Sequence, residues 1–236
     1  MRQLISLYGP FAIQSFGLFI ALGIIIFTIL FLGDPRRKKL ISAEQYYNGL
    51  SGAIIAGFIG GRLLYMSTNW ETFGSIWNIF AFWQGGYSLL GGILALLIFV
   101  PWYLKKQLIP ILPLVDLVSL YAPFLQAISR IGCFFAGCCY GIQTISWLGI
   151  THSMCPGKLL HPTQLYSAGF LFGIFLFLYL FAQHHFKKAG QLFCVYLILM
   201  SAERFIIDFW RADREFVPLT STLSLAQLIA LLLLAL

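Results

Sequence analysis

Residues 11–39 read FAIQSFGLFIALGIIIFTILFLGDPRRKK. Phe11 to Leu32 holds no charge, and a bilayer core needs about 20 apolar residues per helix. The run stops at Asp34-Pro35-Arg36-Arg37-Lys38-Lys39. A cleaved secretion signal carries its positive charge before the apolar run and a small-residue cleavage site after it. Here the basic cluster comes after, and only Arg2 comes before, so the segment is read as a retained membrane span. Cytoplasmic loops carry the excess of Lys and Arg. That bias puts the N-terminus outside and Arg36 to Lys39 inside.

The rest of the chain has the same character. Of 236 residues, 60% are hydrophobic and 10% are charged, and the mean hydropathy is +0.87. Soluble domains carry roughly 25% charged residues, so this chain cannot coat itself with a solvated surface. A soluble enzyme, a disordered chain and a nucleic-acid module are disfavoured together. The net charge of +7 is explained by basic loops beside membrane spans, with no nucleic-acid partner.

The reading is an all-α polytopic membrane protein, a single integral membrane domain over 1–236. Its seven spans are about 11–32, 43–66, 79–104, 112–128, 162–182, 191–210 and 219–236. The basic groups at 36–39, 105–106 and 187–188 all fall on one side of this ledger, with the N-terminus outside and the C-terminus cytoplasmic. Continuous rather than alternating apolar runs argue against a β-barrel. Ala53, Gly57 and Gly61 recur every fourth residue, and Gly169 and Gly173 have the same spacing, a pattern that suits close helix contact. Pro123 is expected to kink the fourth span.

A few charges fall inside the spans: Arg62, Asp116, Arg130, Glu203, Arg204 and Asp208. An Arg near a helix centre costs roughly 2.5–3.5 kcal/mol on the insertion scale, so such groups mark an internal polar cavity. Snorkelling or structural ion pairing accounts for any single Arg about as well. Arg204, Asp208 and Arg211 share one helical stripe, which predicts a salt-bridged ladder. Several guanidinium groups with few acids suit phosphate, which Arg binds with two parallel hydrogen bonds. Within a membrane the phosphate at hand is a phospholipid headgroup.

Two further stretches stand out. Arg130-Ile131-Gly132-Cys133-Phe134-Phe135-Ala136-Gly137-Cys138-Cys139-Tyr140-Gly141 follows the fourth span and is not ordinary lipid-facing helix. Non-helical backbone at membrane depth is tolerated where it lines a cavity. His161-Pro162-Thr163-Gln164-Leu165-Tyr166 opens the fifth span, with Pro162 as a helix-start signal and polar atoms on His161, Gln164 and Tyr166.

With these motifs the chain resembles the phosphatidylglycerol–prolipoprotein diacylglyceryl transferase family of bacterial inner membranes, over about Gly9 to Gln227. Gly9-Pro10 through Phe16-Gly17-Leu18 resembles the family's first helix. Gly60-Gly61-Arg62 with Tyr65 is similar to its second-helix motif, and Gly85-Gly86-Tyr87-Ser88 with Gly91-Gly92 to its glycine-rich third segment. Asp116 and Pro123 fall where the family has them. Arg130 to Gly141, the HPTQLY run and Glu203 to Arg211 resemble three more motifs in the same order.

The resemblance implies transfer of a diacylglyceryl group from phosphatidylglycerol to the lipobox cysteine thiol of a prolipoprotein, forming a thioether and releasing glycerol phosphate. It implies a multi-pass protein of the bacterial inner (plasma) membrane, whose partners are phosphatidylglycerol, the prolipoprotein signal peptide and membrane lipid. No cofactor is expected and no metal is assigned. Arg130 and Arg204 would hold the lipid phosphate, and His161 completes the catalytic set. Arg62, Tyr65, Gly132, Gly141, Gln164, Tyr166, Asp208 and Arg211 form the substrate-binding set.

The chain departs from the family pattern in several places. Leu90 stands where a His is usual, a natural handler of the thiol proton, and His161 or Asp208 is the substitute. Cys133 and Ala136 replace Asn, while Cys138 and Ser167 replace Glu. A divergent member with another acceptor, a lipid-binding protein or a membrane thiol-redox protein is the alternative reading. Cys133, Cys138, Cys139 and Cys155 fall on the outer side, where oxidised pairs form. Two disulfides is the first reading, a metal site the second and a reactive thiol the third. Cys194 reads as an apolar filler.

Overall fold

The uncharged run that opens the chain forms α1 (Ser15–Gly33). In the computed structural model, residues 3–6, 12–70, 86–152, 155–214, 216–217 and 220–234 are described. The helix begins four residues later than expected, because Gln3–Ser6 (β1) and Ala12–Gln14 (β2) pair as a hairpin ahead of it. Phe11 lies outside the described residues. α2 spans Ala43–Thr68, α3 Leu89–Lys106 and α4 Ile111–Ala136. Ile150–His152 (β3) and Cys155–Leu160 (β4) form a second hairpin. α5 (Thr163–Phe177) runs on through a π-helical turn, Leu178–Ala182. α6 covers Gln191–Asp208, Phe216–Val217 (β5) and Thr220–Ser224 (β6) form a third hairpin, and α7 covers Leu225–Leu234. The all-α expectation is therefore corrected to a mostly helical chain with, among the described residues, three small antiparallel hairpins.

Among the described residues, five helices are long and apolar enough to cross a membrane: Ser15–Gly33, Ala43–Thr68, Leu89–Lys106, Ile111–Ala136 and Thr163–His185. α6 has the length but carries Glu203, Arg204 and Asp208. α7 has 10 residues, about 15 Å at 1.5 Å per residue, half of a hydrocarbon core. The expected span 219–236 is shortened by a local cause. Ser224 Oγ accepts from Gln227 N at 3.1 Å and Gln227 Oε1 accepts from Ser224 N at 3.1 Å. This reciprocal capping box starts the helix at Leu225, and the residues before it pair as a hairpin. The first seven residues of the expected third span, 79–85, lie outside the described residues; the helix itself starts after Ser88, whose Oγ accepts from Gly91 N.

The chain divides into two compact units, 34–114 and 1–33 with 115–236. In the smaller unit α2 packs on α3 through glycine. A Cβ at Gly60 would meet Gly91 O at 2.6 Å and Ala95 Cβ at 2.3 Å, so the two backbones touch. This is the small-residue contact expected of α2, with its closest point at Gly60 rather than Gly61. Tyr103 Oη donates to Gln45 O at 2.7 Å across the same pair.

In the larger unit Gly23 of α1 lies against Leu125 and Ile128 of α4, and Gly132 of α4 against Phe19 of α1. Phe31, Leu120, Leu171 and Leu178 are buried. Asp116, early in α4, is a helix cap supplied from outside: its carboxylate accepts from Gly190 N at 2.6 Å and Phe193 N at 2.7 Å at the start of α6. The first N–H groups of a helix lack partners within it, and an anion there is favoured by the helix dipole. Asp116, read in the sequence as an intramembrane charge, thus positions α6. At its other end α6 is tied to α7. Ser224 Oγ donates to Asp208 Oδ2, and Gln227 Oε1 accepts from Arg214 Nη2 at 2.9 Å.

Candidate active site

The end of α4, the start of α5 and the end of α6 bring the polar residues of the larger unit together. The helical part of the cysteine-bearing motif extends further than expected: α4 includes Arg130 to Ala136. Gly137 ends it at φ +70. Gly137 N donates to Phe134 O at 3.1 Å and Cys138 N to Cys133 O at 3.2 Å. This pair of bonds is the Schellman helix end, which needs a left-handed residue that Gly supplies without cost. Cys139 is also left-handed, at φ +60, a conformation uncommon outside Gly.

This double reversal folds the chain back on α4. The Sγ atoms of Cys133, Cys138 and Cys139 all lie within 4.8 Å of one another. Cys133, Cys138, Cys139 and Cys194 are free thiols, which corrects the disulfide reading for the first three. Cys155 pairs with His152 in the β3–β4 hairpin through its backbone, and its side chain lies outside the described residues. α5 clamps the turn from the other side. Thr163 Oγ1 donates to Cys139 O at 2.8 Å, and Gln164 Nε2 to Cys138 O at 2.6 Å. Gln164 is 3% exposed, and its Oε1 has no hydrogen-bond partner among the described residues. A buried acceptor left unmade costs about 1–3 kcal/mol, so it suits a donor on a bound molecule.

Gly141 closes the assembly. Its N donates to His161 O at 2.9 Å, Ile142 N donates to Trp210 O at 2.8 Å, and Ala212 N to Tyr140 O at 3.2 Å. A Cβ at Gly141 would meet Trp210 O at 2.6 Å and His161 O at 2.8 Å. Gly132 and Gly141 therefore make close chain contacts within the unit, rather than an open approach to a ligand. His161 is half-buried, and its Nδ1 lies 3.2 Å from Tyr166 Oη.

The arginines are only partly neutralised. Arg130 is half-buried on α4 and has no ion-pair partner among the described residues. Arg204 Nη2 meets Asp208 Oδ1 at 3.5 Å, a single long contact. Asp208, 2% exposed, also meets Arg214 Nε at 3.5 Å. The expected ladder stops at Asp208, because α6 ends there. Arg211 lies beyond the helix and pairs instead with Asp213, Nε to Oδ1 at 2.8 Å and Nη2 to Oδ2 at 2.6 Å. That pairing raises Arg211 above its ordinary value and holds the Asp213 carboxyl below the usual carboxylate range. Arg204, Asp208, Arg211 and Asp213 line one cavity of about 320 Å³, with Ser224 and Ile229. Arg130 does not line it.

Sequence reasoning left Glu203 out of the site set. It is buried, accepts a hydrogen bond from Ser167 Oγ, and lies within the electrostatic reach of Arg130, Arg204 and Arg211. A hydroxyl at the position where a carboxylate is usual, facing a charged residue one helix away, is the signal that would have found it. Around Cys139 the hydrogen bond from Cys133 is the largest influence, lowering its thiol to about 5; burial opposes it, and the Arg211 and Arg130 charges add to it. Cys138 is pushed up, chiefly by burial.

An apolar groove of about 570 Å³ runs along α5, lined by Tyr166, Gly169, Gly173, Phe177 and Leu199. Among the described residues, a Cβ at Gly169 or Gly173 meets nothing within 4 Å. The expected helix contact is not made there, and the two glycines widen the groove instead. Arg62 and Tyr65 belong to the smaller unit. Arg62 is fully buried, its Nη1 donates to Gly86 O at 3.1 Å, and its guanidinium lies 5.7 Å from the Tyr87 ring centre. The Tyr65 ring covers Gly86, which sits at φ +79.

A family model described as prolipoprotein diacylglyceryl transferase matches residues 2–236. Phosphatidylglycerol–prolipoprotein diacylglyceryl transferase 2 of Clostridium perfringens (strain 13 / Type A) is 35% identical over 228 residues, 94% of this chain and 88% of that protein. The phosphatidylglycerol–prolipoprotein diacylglyceryl transferase of Clostridium tetani (strain Massachusetts / E88) is 35% identical over 232 residues, 97% and 91% of the two chains. The protein so named in Thermotoga maritima (strain ATCC 43589 / DSM 3109 / JCM 10099 / NBRC 100826 / MSB8) is 28% identical over 238 residues, 97% and 80%.

Proposed function

The chain belongs to the prolipoprotein diacylglyceryl transferase family, and from that premise we propose that it transfers a diacylglyceryl group from phosphatidylglycerol to the thiol of a lipobox cysteine. The observation that carries this reading is incomplete pairing. Four guanidinium groups, Arg130, Arg204, Arg211 and Arg214, face three carboxylates, Glu203, Asp208 and Asp213, and Arg130 has no ion-pair partner among the described residues. A structural ion network would neutralise itself. This one leaves positive charge for a phosphodiester.

Arg130 and Arg204 hold the lipid phosphate, and they stabilise the charge that builds on the departing glycerol phosphate. Preorganised stabilisation of developing charge is usually the largest catalytic effect. The buried Gln164 Oε1 accepts from a headgroup hydroxyl. The groove along α5 takes an acyl chain; it reaches Leu199 of α6, five residues before Arg204. Tyr166 and Arg211 border the headgroup, Asp208 orients Arg204, and His161 lies at the thiol side. The protein lies in the bacterial inner membrane, crossed by its long apolar helices and by α6, with its N-terminus outside. The basic residues after α1, at the end of α3 and after α5 support that orientation.

The test is transfer by the purified chain of labelled diacylglyceryl from phosphatidylglycerol vesicles to a lipobox peptide, with complementation of a transferase-depleted strain beside it. Arg130→Ala and Arg204→Ala are each expected to abolish transfer. Arg204→Lys should do poorly as well, since an ammonium keeps the charge but not the planar fork. Wild-type chain that inserts normally yet transfers nothing in either assay refutes the function, and full activity in Arg204→Ala refutes the site.

A further inference from the structure

We propose that Cys133, Cys138 and Cys139 form a binding site for one zinc ion, whose open fourth position takes the acceptor thiol of the transfer reaction. The catalytic half of this inference rests on the function proposed above. The binding half stands alone.

Geometry carries it. Zinc holds thiolate sulfur at about 2.3 Å in a tetrahedral shell, which sets the sulfurs ~3.8 Å apart. The three Sγ atoms already lie within 4.8 Å of one another, so each needs to move by only about half an ångström to reach that distance. Nothing in an ordinary helix end would bring them there. The Schellman reversal at Gly137, the left-handed backbone at Cys139 and the two α5 hydrogen bonds on the Cys138 and Cys139 carbonyls together fix the triad. A ligand set held on a rigid turn by second-shell hydrogen bonds is how protein metal sites are built.

Charge agrees with the geometry. Three thiolates and one zinc ion carry a net charge of about −1. Arg211 and Arg130 both act on Cys139, so the negative charge of the loaded site falls within reach of two guanidinium groups. Three protein ligands with one vacant position is the arrangement of catalytic rather than structural zinc.

The reaction needs such a group. The acceptor must attack as thiolate, and this chain has Leu90 where a proton-handling His is usual. A thiol that coordinates zinc is deprotonated outright; its proton leaves to solvent. The sulfur then donates an electron pair to the glycerol carbon that bears the phosphate. The S–C bond forms as the C–O bond breaks, and that bonding pair departs on glycerol phosphate. The neutral thioether product is a poor zinc ligand and is released.

The full chain, purified in detergent with reductant, is assayed for zinc by elemental mass spectrometry. About one zinc per chain is expected, with loss of at least tenfold in Cys133→Ser/Cys139→Ser and no change in Cys194→Ser. Replacement by cobalt(II) should give a near-ultraviolet sulfur-to-cobalt absorption that the double variant lacks. As a measurement that does not depend on the folding of that variant, wild-type protein stripped by chelator is also melted with and without added zinc chloride, and a rise in midpoint is expected with zinc. Wild-type chain that holds less than about 0.1 zinc, neither takes up cobalt(II) nor shifts its melt, or contains a Cys133–Cys139 disulfide as isolated, overturns the site. Transfer activity separates the two proposals. A metal-free chain with undiminished transfer overturns the catalytic half of the zinc inference alone, whereas a zinc-loaded chain without transfer overturns the function and that catalytic half with it.

Discussion

Gly141→Ala tests whether the site depends on the close approach between the motif loop and the end of α6. The added Cβ would sit 2.6 Å from Trp210 O and 2.8 Å from His161 O. These gaps fall 0.8 and 0.6 Å short of an ordinary 3.4 Å contact. Both obstacles are backbone, so no side chain can rotate away. Relief means separating the loop from His161 and Trp210, which stretches Gly141 N–His161 O and Ile142 N–Trp210 O, now 2.9 and 2.8 Å. Overpacking of this kind costs about 1–3 kcal/mol. The same displacement moves Arg211 and His161 relative to the cysteine turn by most of an ångström, and a shift of that size can lower a rate by about 10²-fold. Initial transfer rates at saturating phosphatidylglycerol, together with a thermal-aggregation midpoint in detergent, read both effects. Gly17→Ala is the control: its Cβ meets nothing within 4 Å among the described residues, so activity should hold and the helix should gain up to about 1 kcal/mol. Wild-type rate and midpoint in Gly141→Ala would refute the argument that this contact sets the site.

Three other outcomes are expected. Gly169→Leu fills the groove along α5 without touching the arginines, so the apparent KM for phosphatidylglycerol should rise several-fold while kcat falls less; a lipid-titration series checks the split. Asp116→Ala removes the side-chain cap that accepts from two N–H groups of α6 and should cost about 1–2 kcal/mol, measured as a lower unfolding midpoint with partial recovery in Asp116→Asn. Asp213 has a depressed folded value, so its contribution is present above the ordinary carboxylate value near ~3.9 and is lost as pH falls through the lower folded value. With Asp213 half exposed, solvent limits the pair to at most ~1 kcal/mol. The midpoint difference between wild type and Asp213→Asn should therefore be small and constant from about pH 5 to 7 and vanish in stronger acid; a difference that grows on acidification would contradict the pairing.

The long apolar helices were legible because their signal is local: α1 and α3 are uninterrupted runs ending in basic residues. Ends decided by side-chain bonds were not. Ser224 and Gln227 stop α7 short of a full span, and Gly137 lets α4 run through half of the cysteine motif. Arg211 looks like the next rung after Asp208 only if the helix continues, and it does not. Glu203 with Ser167, and Asp116 with the start of α6, join residues 36 and 74 or more positions apart; no pattern in the sequence pairs them. The cysteines were visible as a group, but their convergence depends on two consecutive left-handed turns.

The Asp116 cap bears on how the protein is made. α6 carries three charges in 18 residues, a poor candidate for unaided entry into a bilayer, where each central charge costs roughly 2.5–3.5 kcal/mol. Its first turn is completed by a carboxylate from α4, a helix synthesised about 75 residues earlier. The consequence, offered as a hypothesis, is an order of biogenesis: α4 and α5 reside in the membrane before α6 joins, and α6 enters against protein rather than against lipid. Glycosylation-mapped insertion of α6 should then be efficient in the full chain and weak both in isolation and behind Asp116→Ala; equal insertion in all three would disprove the order.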